Sequence, residues 1–110
     1  MSADMTIVEG AYLEAISAAA KATRAFIATH GDRDACGFAW VTTYEKGTSK
    51  LVRELKKFGF SKSYGGGYQL WNPSKSHTQS ISALEAGADA AAKVLTERLG
   101  VKFYSGSRMD

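Results

Sequence analysis

The residues best suited to chemistry lie in one central stretch, from Gly59 to Ser80. It contains a triple glycine flanked by aromatic side chains, followed by a polar run of serine, lysine, histidine, threonine and glutamine. Glycine lets the backbone approach a ligand closely, aromatic rings stack on nucleobases, and basic and hydroxyl groups contact phosphate. The stretch therefore predicts a site for an anionic ligand, and a nucleotide is the first hypothesis.

The predicted site combines residues of this stretch with two arginines outside it. We expect phosphate contacts from the basic and hydroxyl side chains, and base stacking from one or more of the aromatic rings. The residues are Arg53, Tyr64, Gly65, Gly66, Gly67, Tyr68, Trp71, Lys75, His77, Thr78 and Arg108. A plainer interpretation of the same stretch is a hairpin turn followed by a polar surface loop.

Residue types favour binding over catalysis. The chain has two histidines and one cysteine, Cys36, and no pair of acids stands at a spacing diagnostic of a reaction. The glycine spacing does not match the dinucleotide or phosphate-loop patterns, which open directly into a helix. We therefore predict no catalytic residue, no metal site and no cofactor. Cys36 is expected to be a buried small hydrophobic residue.

Positive charge is concentrated around the same stretch. Residues 46–75 carry seven lysines or arginines and a single acid, Glu54, whereas the whole chain has a net charge of only +3. A concentrated field attracts anions more strongly than a diffuse one. The predicted partners are accordingly an anionic small molecule such as a nucleotide, a nucleic acid, or an acidic host protein.

Composition predicts one soluble domain. The 110 residues are 45% hydrophobic and 23% charged, which is ordinary for a globular protein. The single cysteine fits a reducing compartment. No apolar run is long enough for a transmembrane helix, and no basic and apolar leader is visible. The expectation is a cytosolic protein without membrane contact, with homo-oligomerisation left open.

Periodicity predicts three helices and about four strands that position the central stretch. Helical spacing of apolar residues covers about residues 7–30, a segment that Thr48 can cap and Gly59 ends, and about 83–99 after a capping box at Ser82. Alternation predicts strands over 36–44, 60–64, 68–71 and 101–104, and residues 105–110 read as a polar tail. In the strand 36–44, large side chains share one face and small ones the other, which predicts a central strand with a helix against its small side.

The element order α-β-α-β-β-α-β predicts a single α+β sandwich. We expect a small mixed sheet of about four strands with three helices, in a ferredoxin-like layout with an added N-terminal helix. In the second helix, Leu51, Val52, Leu55 and Phe58 share one arc, and the opposite arc carries Lys50, Arg53, Lys56 and Lys57. We call this arc the basic ridge. It suits either solvent or phosphate groups.

Several segments taken together resemble a family of small uncharacterised proteins from tailed-phage genomes. The segments are CGFAWV at 36–41, YGGGYQLWNPS at 64–74, TQS at 78–80, EAGADAAAKVL at 85–95, and the closing Ser107, Arg108 and Asp110. The resemblance covers nearly the whole chain from the first helix onward. It implies a phage accessory protein in the cytoplasm of a bacterial host, and it implies no established activity.

The sequence therefore leaves three binding functions open, with an enzyme as the weakest alternative. The first is a non-enzymatic phage protein, for example an anti-defence protein, that sequesters an anionic nucleotide. The second is a nucleic-acid-binding module that uses the basic ridge. The third is a protein–protein inhibitor of a host factor, or a virion component, whose basic face docks onto an acidic surface.

Overall fold

The computed structural model describes residues 5–31 and 35–109, and its elements follow the predicted order. The helices are α1 (Met5–His30), α2 (Lys50–Lys57) and α3 (Ile81–Leu99). The strands are β1 (Gly37–Thr43), β2 (Ser61–Lys62), β3 (Tyr68–Trp71) and β4 (Phe103–Met109), in the sheet order β2-β3-β1-β4. The α+β class is confirmed, and the part after α1 has the split βαβ arrangement of a ferredoxin-like layout.

The sheet is antiparallel throughout, whereas the helical crossovers had predicted a mixed sheet. β3 lies between β1 and β2, β1 lies between β3 and β4, and every neighbouring pair is antiparallel. Each crossover thus joins two strands that run in the same direction with a third strand inserted between them. Chain order alone does not reveal the inserted strand, and this explains the difference.

One apolar core joins the helices to the small side of β1, as predicted. Ala39 and Val41 of β1 are buried in the same cluster as Leu84 and Leu95 of α3. A Cβ atom at Gly37 would lie 2.6 Å from Ile81 Cδ1, so the absence of a side chain lets α3 approach the strand. Alanines allow α1 to pack along α3; the buried ones are Ala11, Ala15, Ala19, Ala83, Ala88, Ala91 and Ala92.

Two helices begin with a serine cap that differs from the predicted residue. The Ser49 hydroxyl accepts a hydrogen bond from Val52 N at 3.1 Å, so Ser49, rather than Thr48, caps α2. The Ser80 hydroxyl accepts from Ala83 N at 3.2 Å, and α3 begins one residue later. Hydroxyl residues cluster at both places, and only the backbone conformation selects which one can reach the free amide.

The residues predicted to form a polar tail make up most of the edge strand β4. Residues 105–109 pair with residues 37–41 of β1, so this part of the sequence interpretation was wrong. The Ser105 and Ser107 hydroxyls donate to the carboxylates of Asp89 and Glu85 on α3. Small polar residues give a weak strand signal, but here α3 satisfies their hydroxyls and β1 pairs with the strand.

Candidate functional site

The face of the sheet that points away from the helices carries large aromatic side chains. Along β1, Phe38 and Trp40 alternate with the buried Ala39 and Val41. Strand pairing brings Trp71 beside Trp40 and Tyr104 beside Thr42 on this same side. We call this surface the open face; its residues are Phe38, Trp40, Thr42, Tyr44, Gln69, Trp71, Tyr104, Gly106 and Arg108.

Three rings form a group at one end of the open face, which we call the tryptophan cluster. The Trp40 and Trp71 ring centroids are 4.9 Å apart, and Phe38 meets Trp71 edge-on at 5.9 Å. Phe38 is 39% exposed and Trp71 44% exposed. Trp40 lies over Gly106, where a Cβ atom would come within 2.7 Å of the indole Cε2. The cluster is thus seated on the sheet and presents ring surface to solvent.

Two tyrosines form a second group at the other end of the open face, which we call the tyrosine pair. The rings of Tyr44 and Tyr104 are exposed, and their centroids lie 5.7 Å apart. Gly67 packs against Tyr44: its φ is +78°, and a Cβ atom here would lie 2.8 Å from Tyr44 Cδ1. The last residue of the triple glycine therefore brings the hairpin against β1 at this end.

Each aromatic group has a cation beside it. The Arg108 guanidinium carbon lies 5.9 Å from the Phe38 ring centroid, and Lys102 Nζ lies 5.8 Å from that of Tyr104. No aspartate or glutamate occupies a position in the four strands described here. The open face therefore combines exposed rings with positive charge, which suits a stacked base and its neighbouring phosphate.

A cleft opens beside the tryptophan cluster, where β3 ends. Its volume is about 220 Å³, and it is lined by Cys36, Gly37, Phe38, Ala39, Trp71, Asn72, Thr78, Gln79 and Leu84. β3 ends at Trp71, and Asn72, with φ of +47°, begins the loop that forms one wall of the cleft. On this edge of β1, residues 36–39 face the loop 72–80 rather than a strand, and the loop leaves room between itself and β1. On the other edge, residues 37–39 pair with β4.

The loop beside the cleft is braced by hydrogen bonds. Asn72 N donates to Ala39 O at 2.9 Å, and Gly37 N donates to Gln79 O at 3.1 Å. The Asn72 side chain donates to Ser76 O at 3.0 Å and accepts from the Ser74 hydroxyl at 3.1 Å. These bonds fix the wall of the cleft formed by Thr78 and Gln79.

The structure brings only part of the predicted site together. Trp71 belongs to the tryptophan cluster, Arg108 lies beside it, and Thr78 lines the cleft. Lys75 and His77 are exposed on the loop 72–80. These five residues belong to one end of the molecule, where the carboxyl end of β3 meets the beginning of β1.

The glycines, with Tyr64, lie at the other end of β3. Gly65 and Gly66 form the exposed tip of the β2–β3 hairpin, closed by a bond of 2.8 Å from Ser63 N to Gly67 O. Tyr64 is fully exposed there. The triple glycine thus makes a hairpin turn, and Gly66 and Gly67 have positive φ. One small ligand cannot contact both this tip and the loop 72–80.

Tyr68 and Arg53 lie in the helical layer, away from the open face. Alternation in β3 sends Trp71 to the open face and Leu70 into the core, and Tyr68 points the same way as Leu70. Lys56 Nζ lies 5.1 Å from the Tyr68 ring centroid. Arg53 lines a separate shallow cleft together with Lys50, Glu54 and Lys57.

Two cations of the basic ridge make contacts within the protein. Val52 and Leu55 are buried, which confirms the amphipathic pattern of α2. Lys57 Nζ lies 3.3 Å from Glu54 Oε2, and Lys56 covers Tyr68. Among the described residues, Lys50 and Arg53 are the two ridge cations that form neither an ion pair nor a contact with an aromatic ring. Glu54 therefore offsets one of the four ridge charges, as its sequence position suggests, and Lys56 keeps its charge beside the Tyr68 ring.

Cys36 is exposed, so the prediction that it is buried was wrong. β1 begins at Gly37, and Cys36 forms only an isolated bridge with Ser80. Its thiol donates to Gln79 Oε1 at 3.4 Å beside the cleft. Alternation had already placed Cys36 on the side of Phe38 and Trp40, which is the open face.

Comparison of the chain with protein-family models, curated proteins and solved structures finds no match. Within the described ranges, no helix is long and apolar enough to cross a membrane. The same residues contain no group of three or more side chains that could hold a metal ion. The functional argument therefore rests on the geometry of the open face.

Sequence reasoning missed Phe38, Trp40, Tyr44, Lys102 and Tyr104 as candidate binding residues. A signal for the first two was present, because alternation grouped them on the side of β1 opposite the helix. Nothing in the sequence indicated that this side stays uncovered. Tyr104 reaches the open face because β4 pairs with β1, and the sequence interpretation underestimated the length of β4.

Proposed function

We propose that this protein is a non-enzymatic binding protein for single-stranded nucleic acid, which lies along the open face. The observation that carries the proposal is the two exposed aromatic groups, each with its own cation. Four-stranded βαββαβ sheets of RNA-recognition motifs stack bases on aromatic side chains in this way. Fold alone would not support a function; the exposed rings do.

The length of the open face favours linked nucleotides over a single one. Lys102 and Arg108 are six residues apart along an extended segment, and at about 3.3 Å per residue this separates them by roughly 20 Å. One base cannot stack on both aromatic groups, whereas a short strand can, with phosphates near both cations. A sequestered nucleotide, the first hypothesis from the sequence, would occupy one end of the same surface.

The expected affinity is moderate and depends on salt. Stacking contributes roughly 1–3 kcal/mol per base, so two stacked bases contribute about 2–6 kcal/mol. A micromolar complex requires about 8 kcal/mol. Phosphate contacts from Arg108 and Lys102 must therefore supply part of the binding free energy, and these contacts weaken as salt rises.

The proposal is tested with fluorescently labelled homo-oligonucleotides and anisotropy at low salt. Trp71→Ala removes an exposed stacking surface and is expected to weaken binding about tenfold, within the range for one stacked base. Tyr64→Ala is the matched control, because Tyr64 is a fully exposed ring away from the open face. Equal affinity of the wild-type protein and Trp71→Ala, or no binding to any single strand, would contradict the proposal.

A phage origin, a location in the host cytoplasm and an anti-defence role stay predictions drawn from the resemblance. A protein partner on the open face is a separate hypothesis, since exposed aromatic residues also suit protein interfaces. The absence of oligonucleotide binding, together with a Trp71-dependent protein complex, would favour it.

A further inference from the structure

We propose that the free edge of β4 binds an extended basic segment of a partner protein, which adds a strand to the sheet. This inference goes beyond nucleic-acid binding and concerns a different surface from the open face. It is carried by the direction of the backbone groups along β4, and by two carboxylates of α3 that lie beside this edge.

The backbone groups of alternate β4 residues point away from β1. Antiparallel hydrogen bonds join directly opposite residues, and they join every second pair. Asn72 N donates to Ala39 O, so the odd-numbered residues of β1 direct their backbone groups toward the side of β3. The even-numbered residues of β1 therefore bond to β4. Ser105 and Ser107 lie opposite odd-numbered residues of β1, so their N–H and C=O groups point to the free edge.

The first outward-facing residue of β4 has a partner, and the next two have an open groove beside them. Phe103 N donates to Thr96 Oγ1 at 2.9 Å, and the Thr96 hydroxyl donates to Phe103 O at 3.4 Å. Farther along the strand, a groove of about 230 Å³ is lined by Glu85, Asp89, Ser105, Gly106 and Ser107. α3 thus takes the place of an added strand at Phe103 and leaves that place open beside the two serines.

The two edges of the sheet differ in their capacity to accept a strand. β2 has only two residues, one of them Lys62, and a short, charged strand resists edge-to-edge pairing. β4 has seven residues without a proline or a lysine. Its one charged residue, Arg108, belongs to the open face. Strand addition is therefore expected at β4, where backbone donors and acceptors form a row.

The charges beside this edge specify a basic strand. The hydroxyls of Ser107 and Ser105 donate to the carboxylates of Glu85 and Asp89, which places both acids on the helix side of the edge. The acids are four residues apart on α3, which corresponds to about 6 Å, and two residues of an added strand span about 6.6 Å. Basic side chains at positions i and i+2 of the added strand can therefore each reach one carboxylate.

The same acids disfavour a second copy of β4 as the occupant. Two-fold pairing of β4 with itself would bring Glu85 and Asp89 of each copy close to those of the other. Like charges that face each other across paired strands are destabilising. A partner segment with lysine or arginine at alternate positions replaces this repulsion with attraction.

The first test follows binding of a capped peptide, Thr-Lys-Thr-Lys-Thr, to isotopically labelled protein by NMR at low salt. The amides of Ser105 and Ser107 are expected to gain protection from hydrogen exchange, because the peptide supplies their acceptors. The amide of Gly106 bonds to β1 and is expected to be protected before the peptide is added. Thr-Glu-Thr-Glu-Thr is the control and is expected not to bind. Equal binding of the two peptides, or no protection of the serine amides, would overturn the proposal.

Substitutions at Ser107 separate the backbone contact from the side chain. Ser107→Pro removes the outward N–H and keeps the hydrogen bonds between β4 and β1, so it is expected to abolish peptide binding. Ser107→Ala removes only the hydroxyl and is the control, expected to bind within about twofold of the wild type, since its N–H is kept. Equal affinity of the two variants would contradict strand addition.

A second pair of variants tests the carboxylates and leaves the strand unaltered. Glu85→Gln together with Asp89→Asn keeps oxygens that accept from the serines and removes both charges. It is expected to weaken peptide binding about tenfold, because two exposed ion pairs are lost. Glu9→Gln together with Glu97→Gln removes two exposed charges elsewhere and is expected to leave the affinity unchanged. Equal affinity of the two double variants, or protection of Ser107 that rises with protein concentration without peptide, would overturn the proposal; the latter result would assign the edge to a second copy.

Discussion

The contact between α1 and α3 allows a quantitative prediction, because each helix has one interior glycine and the two glycines have opposite surroundings. A Cβ atom at Gly87 of α3 would meet Thr23 Oγ1, and it would lie 3.1 Å from Ala19 O and 3.0 Å from Ser74 Cβ. A Cβ atom at Gly10 of α1 would have nothing within 4 Å. Alanine substitution at these two positions should therefore change stability in opposite directions.

The magnitude for Gly87→Ala follows from three terms. Alanine is favoured over glycine in a helix interior by about 1 kcal/mol. Overpacking a tight contact costs about 1–3 kcal/mol. Displacing the buried Thr23 hydroxyl from its 2.9 Å bond to Ala83 O costs a further 1–3 kcal/mol, roughly. The net loss of unfolding free energy is about 1–5 kcal/mol, a large part of the 5–15 kcal/mol or so typical of a domain.

Thermal and urea unfolding of the two variants provide the measurement. Gly87→Ala should lower Tm by at least about 4 °C, and Gly10→Ala should raise it by a few degrees, since about 1 kcal/mol corresponds to roughly 4 °C in a domain of this size. Gly10→Ala is the matched control for helix propensity. A Gly87→Ala protein as stable as the wild type would refute the close packing of α3 on α1 at this point.

Two further predictions concern the open face and the cap of α2. For a labelled single-stranded oligonucleotide, Arg108→Gln should make the slope of log affinity against log salt concentration shallower by about 0.7, the value for one phosphate contact. Arg53→Gln should leave this slope unchanged. The reverse result would move the nucleic-acid contact to the basic ridge. Ser49→Ala should cost about 1 kcal/mol of unfolding free energy because it removes the N-cap, and Thr48→Ala should change it by less than about 0.5 kcal/mol. Equal effects in urea unfolding would contradict the assignment of the cap.

The Gly87 contact also connects the core to the cleft. Ser74, which a Cβ atom at Gly87 would touch, belongs to the loop that carries Thr78 and Gln79. Its hydroxyl donates to Asn72 Oδ1, and Asn72 in turn holds the loop against β1. Ser74 therefore connects the contact between α3 and α1 to the loop that forms the cleft wall.

The sequence by itself determined most of the elements and the buried sides of α2 and β1. Helical and strand periodicities reflect which residues must leave water, so the pattern alone assigns Val52 and Leu55 of α2 to the core, and it assigns Val41 to the buried side of β1. The hairpin at the triple glycine was predictable from residue type, because only glycine adopts its positive φ values without strain. Trp71 and Thr78, both chosen from residue type alone, lie in the lining of the cleft.

Only the tertiary structure decided which surface stays uncovered and which residues meet on it. Long-range strand pairing places Arg108 beside Phe38, and Trp71 beside Trp40. The fold also separates the two arginines of the predicted site from each other, since Arg53 lies on α2. Strand order, the reach of β4 and the turn at Asn72 depend on contacts between residues far apart in the chain, which local periodicity does not encode. The sequence therefore supplied the aromatic and basic residues, and the order β2-β3-β1-β4 decided which of them share one face.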